Sequence, residues 1–426
     1  MSDQPRKLVA GSTDALIVGA GHSGLAISHC LADLGVEHVI LERGEVANSW
    51  RTERWDSLRL LTPSWQSRLP GYAYEGKDRD GFMSMSEVTD FVEGYANITE
   101  AAIHRRTEVT CVSLSGDQYK VETSQGVWQT RSVVIASGGF NIPHVPAIAG
   151  GVPDFIQQFD THGYRNPGQL PEGGCMVVGA SATGVQLAEE IHQSGRPVTL
   201  CVGEHVRLPR NYRGRDVQFW MDVCGVLDES IDEVDDLVRA RNVPSPQLVG
   251  TSHKQTLDLN VLTDMGVRLV GRLAMIRDGR ALFSGGLKNV CELADLKMNR
   301  LLALFDEWVD EHSEDPGQGP RERFEPTRVD ASPLLGLDLN GRELSSIIWA
   351  TGYRPDYSWL DLPILDRKGM IKHQGGIADA PGVYVLGLNF LRRRKSSFIH
   401  GAEDDARDLA GHLHAHLGNQ NMAGLG

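Results

Sequence analysis

Two short glycine-rich stretches carry the residue types that hold the phosphates of a dinucleotide. The first reads IVGAGHSG, Ile17 to Gly24, and the second reads VVGASATG, Val177 to Gly184. In such a turn the first glycine permits the bend, the middle residue lets the backbone approach a pyrophosphate, and the last packs a helix against a strand. Backbone N–H groups and the helix dipole then face the phosphates. The chain therefore has two candidate dinucleotide sites, although Ser181 replaces the glycine found at Gly21.

The similarity of the two turns extends over a whole structural unit. ALIVGAGHSGLAISHCLADLGVEHVILER runs beside CMVVGASATGVQLAEEIHQSGRPVTLCVG. In each segment an apolar run of strand length enters the turn, an amphipathic pattern follows, and a second β-branched run closes the unit. The sequence predicts an α/β protein with two Rossmann-like dinucleotide-binding domains.

The residues downstream of the two turns differ. Glu42 lies 23 positions after Gly19 (42 − 19), at the end of the second predicted strand. A carboxylate there can bind both hydroxyls of a ribose. In the second unit the equivalent position is Val202, followed by Gly203, so the ribose-binding acid is missing.

A basic segment follows the second unit. EHVRLPRNYRGRD contains four arginines with no acid between them: Arg207, Arg210, Arg213 and Arg215. An arginine beside the adenosine ribose can bind a 2′-phosphate that a carboxylate would repel. We therefore expect NADPH rather than NADH at the second site, with Arg207 and Arg210 as its ligands. The alternative is a solvated basic loop, because Glu204 lies close to the expected acid position.

Composition narrows the class of protein. The chain has 426 residues and a formal charge of −14, which argues against nucleic acid or an anionic membrane surface as the main partner. The first residues lack the apolar core of a signal peptide, and no run reaches the roughly 20 apolar residues of a membrane span. These features predict a cytoplasmic protein and leave a homodimer open. The six cysteines are scattered without a C-x-x-C pair or zinc spacing, so we expect no metal and no dithiol centre.

Four further motifs carry a family resemblance. They are NSWRTERWDSLRLLTPSWQSRLPG (48–71), VVIASGGFNIPHVP (133–146), IIWATGYRPDYSWL (347–360) and GVYVLGLNFLRRRKSSFIHGAEDDA (382–406). With the two turns, they resemble the flavoproteins with two dinucleotide-binding domains, and among these the flavin-containing and related class B flavoprotein monooxygenases, including bacterial single-component members. The resemblance covers most of the chain, and residues 215–330 match least.

The resemblance implies a layout. An FAD-binding domain in two segments, residues 1–148 and 331–426, encloses an NADPH-binding domain, residues 149–330, which carries a helical substrate cap from about Arg215 to Ser313. A helix from about Phe398 to Leu417 either directs its N-terminus at the flavin or only packs on the sheet. The tail after about residue 417 is expected to be disordered. Within the cap, apolar residues from 290 to 308 recur at helical spacing and predict an amphipathic helix.

The resemblance also implies a reaction. NADPH would reduce FAD, and the reduced flavin would react with O2 to form a C4a-(hydro)peroxide that oxygenates nitrogen, sulfur or carbon in a small-molecule substrate. Two rivals remain open: a flavin NAD(P)H oxidase or reductase without substrate oxygenation, and a non-catalytic FAD-binding redox sensor. Two departures favour the first rival. Leu61 stands where many members have an asparagine, and the F-x-G-x-x-x-H fingerprint has Gln157 at its glycine and His162 displaced by one position.

The candidate site residues follow from the turns, the arginines and the resemblance together. Arg51 is the candidate catalytic residue, as a charge near the flavin or the nicotinamide. The candidate cofactor-binding residues are Gly19, Gly21, His22, Ser23, Gly24, Glu42, Arg43, Trp50, Arg51, Leu58, Thr62, Val109, Ser137, Gly138, Gly179, Ser181, Ala182, Thr183, Gly184, Arg207, Arg210, Thr351, Gly352, Asn389 and Phe398.

Overall fold

The structure is a computed structural model that describes residues 9–312 and 319–423. Helix formation follows local sequence signals, as in the helix that begins after Ser84, where Ser84 and Glu87 form a capping box. The helices are α1 (His22–Asp33), α2 (Asn48–Thr52), α3 (Met85–Ala96), α4 (Ala182–Gln193), α5 (Val217–Val223), α6 (Leu237–Arg241), α7 (Leu259–Met265), α8 (Leu287–Glu311) and α9 (Ala402–Ala423).

The strands fall into three consecutive groups along the chain. The first group is β1 (Val9–Val18), β2 (His38–Leu41), β3 (Arg68–Leu69), β4 (Tyr72–Ala73), β5 (Ala102–His104), β6 (Val109–Ser115), β7 (Gln118–Thr123), β8 (Gly126–Ile135) and β9 (Ile142–Pro143). The second is β10 (Gln157–Asp160), β11 (Gly174–Val178), β12 (Val198–Val202), β13 (Asn211–Tyr212), β14 (Arg215–Asp216), β15 (Arg268–Gly271), β16 (Leu273–Arg277), β17 (Arg280–Phe283), β18 (Gly336–Asp338) and β19 (Leu344–Trp349). The last is β20 (Tyr353–Arg354), β21 (Leu360–Asp361), β22 (His373–Gln374), β23 (Ile377–Ala378) and β24 (Val383–Val385).

The first sheet is assembled from both ends of the chain. Its parallel centre has the order β5-β2-β1-β8, and β24 adds in parallel to β8. The antiparallel strands β6 and β7 extend it beyond β8. Helices α1 and α9 pack against each other beside this sheet and share its hydrophobic core. The N-terminal and C-terminal segments therefore contribute to one sheet and one core.

The second sheet is wholly parallel, with the order β10-β19-β11-β12-β15. Every residue of β11 and β12 is buried, which explains why both strands read as continuous apolar runs rather than alternating ones. Side chains of α4, α7 and the start of α8 contribute to its core.

The predicted boundary at residue 331 is too early. Strand β18 pairs with β17, and β19 lies between β10 and β11 in the second sheet. The chain returns to the first domain only after Trp349, where β20 pairs with β9 in a two-stranded link between the domains. The glycine turns could locate the start of the second domain, whereas the pairing of β18 and β19 with its strands was not evident from the sequence.

Two predicted helices differ in detail from the observed ones. The C-terminal helix begins at Ala402, four residues after Phe398 (402 − 398). It continues to Ala423, so the disorder predicted after residue 417 is wrong for the residues from 418 to 423. Arg131 holds this end, because its guanidinium donates to the Leu417 carbonyl and to the Gln420 amide oxygen. Residues 424–426 of the predicted tail, and Ser313 at the end of the predicted cap, lie outside the described residues.

The predicted amphipathic helix is α8. Its buried side includes Ala294, Met298 and Phe305, whereas Leu293 is 46% exposed although its spacing placed it in the core. No helix in the described parts of the chain is long and apolar enough to cross a membrane.

Candidate functional site

The first glycine turn links β1 to α1 and depends on two close backbone approaches. Gly19 has a φ of +109°, and a Cβ on it would lie 2.6 Å from the Ala136 carbonyl oxygen. A Cβ on Gly24 would lie 2.0 Å from the carbonyl oxygen of Gly19. Gly21 is different, since a Cβ there would meet no atom within 4 Å. The first and last glycines are required by the protein itself, and the middle one faces open space that a ligand can occupy.

The second turn, between β11 and α4, repeats this geometry. Gly179 has a φ of +111°, and a Cβ on Gly184 would lie 1.8 Å from the Gly179 carbonyl oxygen. Ser181 has φ −79° and ψ −174°, and Gly21 has φ −81° and ψ 178°. This is extended backbone that any residue adopts. Serine at the middle position therefore leaves the turn intact.

A crossing segment closes each turn from the side. Ala136 donates its N–H to the Val18 carbonyl and Ala350 donates to the Val178 carbonyl, both at 2.9 Å. Each alanine leads into a glycine with positive φ, Gly138 at +82° and Gly352 at +90°. A Cβ on either glycine would meet no atom within 4 Å. The ASG and ATG motifs thus hold equivalent places beside the two turns.

Polar atoms left without protein partners surround the first turn. His22 Nε2, Ser23 Oγ and Ser137 Oγ are buried and have no hydrogen-bond partner. Burial lowers the pKa of His22 to about 4, so this imidazole is neutral at physiological pH. Buried polar groups are normally hydrogen-bonded, and a ligand with several acceptor oxygens would satisfy the hydroxyls. The residues present therefore fit the pyrophosphate of FAD.

Glu42 follows β2 and is fixed at the end of that strand. Its two carboxylate oxygens accept hydrogen bonds from the N–H groups of Ala20, at 2.8 Å, and Gly44, at 2.9 Å. The side chain is 6% exposed. The backbone thus aims the carboxylate beside the turn, where the sequence predicts it to bind ribose.

Arg51 has a different environment from the predicted one. Its Nε donates to the Val46 carbonyl at 3.0 Å, and its Nη2 pairs with Glu93 at 2.5 Å. Arg105 also contacts Glu93, which makes this a surface ion-pair cluster. These contacts occupy the Arg51 guanidinium, and its catalytic role stays a prediction from the sequence. The neighbouring Arg43 likewise pairs with Glu53.

The segment after α2 connects the two domains. Trp55 is 3% exposed and belongs to the core of the second domain, against which Leu58 also packs. Thr62 is buried farther along the segment, while Trp50 and Val109 lie with the first core. The motif of residues 48–71 therefore contributes side chains to the cores of both domains and is not only a loop of the first domain.

Arg207 is buried and does not face a nucleotide site. Its guanidinium pairs with Asp258 and Asp295, each at 2.7 Å, and also donates to the Glu325 carbonyl. Asp258 caps α7 and Asp295 belongs to α8. The arginine joins these helices inside the second domain, which contradicts its predicted role as a ligand of the 2′-phosphate.

Arg210 is 1% exposed and also has internal partners. It pairs with Asp216 at 2.6 Å and donates to the Leu61 carbonyl at 2.8 Å, while its guanidinium carbon lies 4.8 Å from the centre of the Phe82 ring. The prediction for Arg210 is therefore also wrong. Its contacts tie the second domain to the segment that contains Thr62. Arg213 pairs with Asp306, and Arg215 lies over the Phe219 ring.

The remaining predicted residues lie near the two turns or near the last segment. Ala182 and Thr183 form the partly exposed first turn of α4. Thr351 donates its hydroxyl to the His144 carbonyl in the link between the domains. Asn389 is exposed and donates to the Arg241 carbonyl at 2.8 Å. Phe398 precedes α9 and, like Leu61, packs against a hydrophobic cluster that contains Trp220, Met298 and Phe305.

An aromatic and basic group between the domains was missed in the sequence. Arg54 lies over the Trp50 ring at 5.3 Å, and burial lowers its pKa. Tyr353 lies 5.3 Å from the His162 ring, centre to centre, and 5.4 Å from that of Phe140. His162 Nε2 is buried without a partner. Arg54, the second arginine of WRTER, could have been noted as a candidate in the sequence. Nothing in the sequence indicated that residues from four separate segments approach one another here.

The cysteines and one sizeable cleft lie apart from both turns. Burial raises the pKa of Cys30 and of Cys175 to about 11, so both thiols stay protonated and unreactive. In the described residues the cysteines form no disulfide, and no cluster of three His, Cys, Asp or Glu side chains could hold a metal. A cleft of about 630 Å³ lies between α7 and residues 324–328, and it shares no residue with either turn.

Comparison with known proteins identifies the family. Residues 16–222 match the family model described as pyridine nucleotide-disulphide oxidoreductase. A CzcO-like oxidoreductase of Geobacillus kaustophilus is 30% identical over 399 residues, which cover 93% of this chain and 97% of that relative. The chain belongs to the CzcO-like oxidoreductases. It is an enzyme.

More distant relatives agree with this family. The probable indole-3-pyruvate monooxygenase YUCCA4 of Arabidopsis thaliana is 25% identical over 414 residues, with 92% of this chain and 89% of the relative covered. The structure of a flavin-containing monooxygenase from Stenotrophomonas maltophilia superposes with a TM-score of 0.64 at 18% identity, covering 95% and 99% of the two chains. The structural likeness confirms the predicted fold class, and the sequence relatives confirm the resemblance to class B flavoprotein monooxygenases.

The two kinds of glycine in the first turn should respond differently to substitution. Gly21→Ala should leave the unfolding free energy of the apo-protein within about 0.5 kcal/mol but weaken FAD binding, because its methyl group takes up part of the open space. Gly24→Ala should lower the unfolding free energy by about 1–3 kcal/mol, since its methyl group meets the Gly19 carbonyl. Denaturant unfolding and flavin absorbance measure both effects. Gly411→Ala, in α9 with open space around it, is the control. Equal FAD loss and equal destabilisation in the first two variants would contradict this division of roles.

Arg207 should affect stability and not cofactor choice. Arg207→Met leaves Asp258 and Asp295 buried without their cation and should lower the unfolding free energy by about 3–5 kcal/mol. The ratio of activities with NADPH and NADH should stay unchanged in the folded fraction. Arg328→Met removes an exposed pair with Asp264 and should leave the unfolding free energy nearly unchanged. A selective loss of activity with NADPH in Arg207→Met would restore the role predicted from the sequence.

Proposed function

We propose that this oxidoreductase is an FAD-dependent monooxygenase that consumes NADPH and transfers one oxygen atom of O2 to a small-molecule substrate. One observation carries the proposal. The chain forms the same phosphate-binding turn twice, but only the first has an anchored carboxylate, Glu42, at the end of the neighbouring strand. Two turns with different strand-end partners support two different nucleotide cofactors, and the oxygenases among the relatives support the reaction.

Different residues would hold each of the two cofactors. FAD, when bound, supplies hydride acceptance and oxygen activation. Gly21 admits its pyrophosphate to the backbone, the hydroxyls of Ser23 and Ser137 are free to donate to it, and Glu42 is placed to bind its ribose. Gly179, Ser181 and Gly184 would offer the pyrophosphate of NADPH the same backbone geometry.

An apolar wall beside the 50s segment would exclude water. Leu61 and Phe398, from the first domain, pack against a buried cluster of the second domain that includes Val217, Trp220 and Met221. Trp220 is fully buried and donates its indole N–H to the Tyr212 carbonyl, so it is a core residue rather than a substrate contact. Excluding water at this boundary favours transfer of oxygen to substrate over release of hydrogen peroxide.

The proposed reaction is tested with labelled oxygen. The purified holoenzyme is supplied with NADPH and ¹⁸O2, with methyl phenyl sulfide, trimethylamine or indole-3-pyruvate as probe substrate. We expect one labelled oxygen atom in the product of at least one probe, with NADPH consumption that rises when the probe is added. Rapid NADPH consumption that yields only hydrogen peroxide with every probe would favour the oxidase, and no consumption would favour the redox sensor.

The second candidate function, a flavin NAD(P)H oxidase or reductase without substrate oxygenation, is favoured by Leu61. Its side chain packs in an apolar cluster and has no group that could hydrogen-bond near the flavin, while its carbonyl is already bonded to Arg210. Such a site would lose more of its reducing equivalents as hydrogen peroxide than one with a polar side chain there.

Leu61→Asn should change this loss. We expect the fraction of NADPH electrons recovered as hydrogen peroxide to fall several-fold, because the amide supplies a hydrogen-bond donor beside the flavin. Leu61→Met keeps the size and the apolar character and serves as the matched control. A peroxide yield that is the same in both variants would show that the side chain at this position does not govern coupling.

A further inference from the structure

The edge of the second sheet brings together two residues that are far apart in sequence. Strands β12 and β15 are parallel neighbours, with Val202 opposite Gly271. The next residues, Gly203 and Arg272, therefore leave the sheet side by side at its carboxyl edge, where neighbouring parallel strands lie about 4.8 Å apart. In open α/β sheets this edge is where nucleotides bind.

The side chain of Arg272 lies over Gly203, which has no side chain of its own. A Cβ built on Gly203 would lie 3.7 Å from Cγ, 3.8 Å from Cδ and 3.9 Å from Cβ of the arginine. The aliphatic part of Arg272 thus runs along the glycine backbone, which leaves its guanidinium to extend toward solvent. A larger residue at position 203 would separate the two.

The same edge corresponds to the ribose position of the first domain. Gly19 donates its N–H to the Leu41 carbonyl, and Gly179 donates to the Cys201 carbonyl. The residue that follows is Glu42 in the first unit and Val202 in the second, and Val202 is buried in the core. The second unit therefore presents no acid to a ribose, and the nearest surface at that point belongs to Gly203 and Arg272.

The guanidinium of Arg272 is available for a ligand. The residue is exposed, and within residues 9–312 and 319–423 its side chain has no hydrogen bond or ion pair. Arg207, Arg210 and Arg213 are in contrast all paired with buried or partly buried aspartates. The acid next to Gly203, Glu204, pairs with Lys297 at 3.2 Å. An unpaired arginine can bind a phosphate with two parallel hydrogen bonds.

We propose that Arg272 binds the 2′-phosphate of NADPH and sets the preference for the phosphorylated cofactor, a role that the sequence alone assigned to Arg207 and Arg210. The proposal rests on the proposed function, in that the second turn must hold a nicotinamide dinucleotide. It moves the specificity residue from the loop after β12 to the residue that follows the neighbouring strand β15.

Arg272→Ala in the holoenzyme tests this role. The loss of a charge-assisted contact should lower kcat/KM for NADPH about 10- to 100-fold and leave kcat/KM for NADH within about 2-fold. Arg268→Ala is the matched control, because Arg268 is also exposed but begins the same strand at the opposite edge. It should change neither value. FAD content and unfolding temperature should stay at the wild-type values in both variants.

A binding measurement separates this inference from the proposed function. Calorimetry with adenosine 2′,5′-bisphosphate and with adenosine 5′-monophosphate reports the 2′-phosphate contact without turnover. We expect Arg272→Ala to lose affinity for the bisphosphate only. If the wild type prefers NADPH but Arg272→Ala binds the bisphosphate as tightly as the wild type, the inference is overturned and the NADPH-dependent function stands. If the wild type oxidises neither nucleotide but the bisphosphate affinity still depends on Arg272, the proposed function fails and the assignment of this residue survives.

Discussion

The contact between the last and first glycines of each turn is the constraint on which the rest of the structure depends. A Cβ on Gly24 or Gly184 would come within about 2 Å of the carbonyl oxygen of Gly19 or Gly179, so helix and strand can approach only without a side chain. That approach directs α1 and α4 so that their first N–H groups face the carboxyl edge of each sheet. The residues proposed to specify a cofactor, Glu42 in one domain and Arg272 beside Gly203 in the other, are placed relative to these two helix ends.

The arginines of the second domain show that a run of basic residues in the sequence need not form a basic surface in the folded protein. Arg207 and Arg213 appear as unpaired charges in the sequence because the acids that neutralise them, Asp258, Asp295 and Asp306, are about 50 to 90 positions away. Breaking such a buried pair leaves an uncompensated charge, so these arginines hold helices α7 and α8 in place. A cation that binds a ligand is recognised by its lack of an internal partner, which requires the tertiary structure.

The sequence predicted those features that depend on local backbone geometry. The two turns, their strands and helices, Glu42 and the crossing ASG and ATG motifs were all located, because each follows from glycine positions and from apolar runs of fixed length. The end of the second domain was placed wrongly, since β19 joins its sheet through pairing with β10 and β11 and not through a signal of its own. Arg272 was missed for the same reason. Its place beside Gly203 is set by the register between β12 and β15, which 65 residues of intervening chain (203 to 267) do not reveal.

Several contacts join the two domains near the segment from Trp55 to Thr62, and they fix how the two cofactor sites are placed relative to each other. Arg210 of the second domain bonds the Leu61 carbonyl, Trp55 of the first enters the second core, and β9 pairs with β20 at the return. A rotation of one domain against the other would have to break the buried Arg210 contacts, which are charge-assisted and costly to leave unmade. The segment from Trp55 to Thr62 therefore moves with the second domain as well as with the first. The contacts of this segment, together with the pairing of β9 and β20, therefore hold the two glycine turns in a fixed position relative to each other.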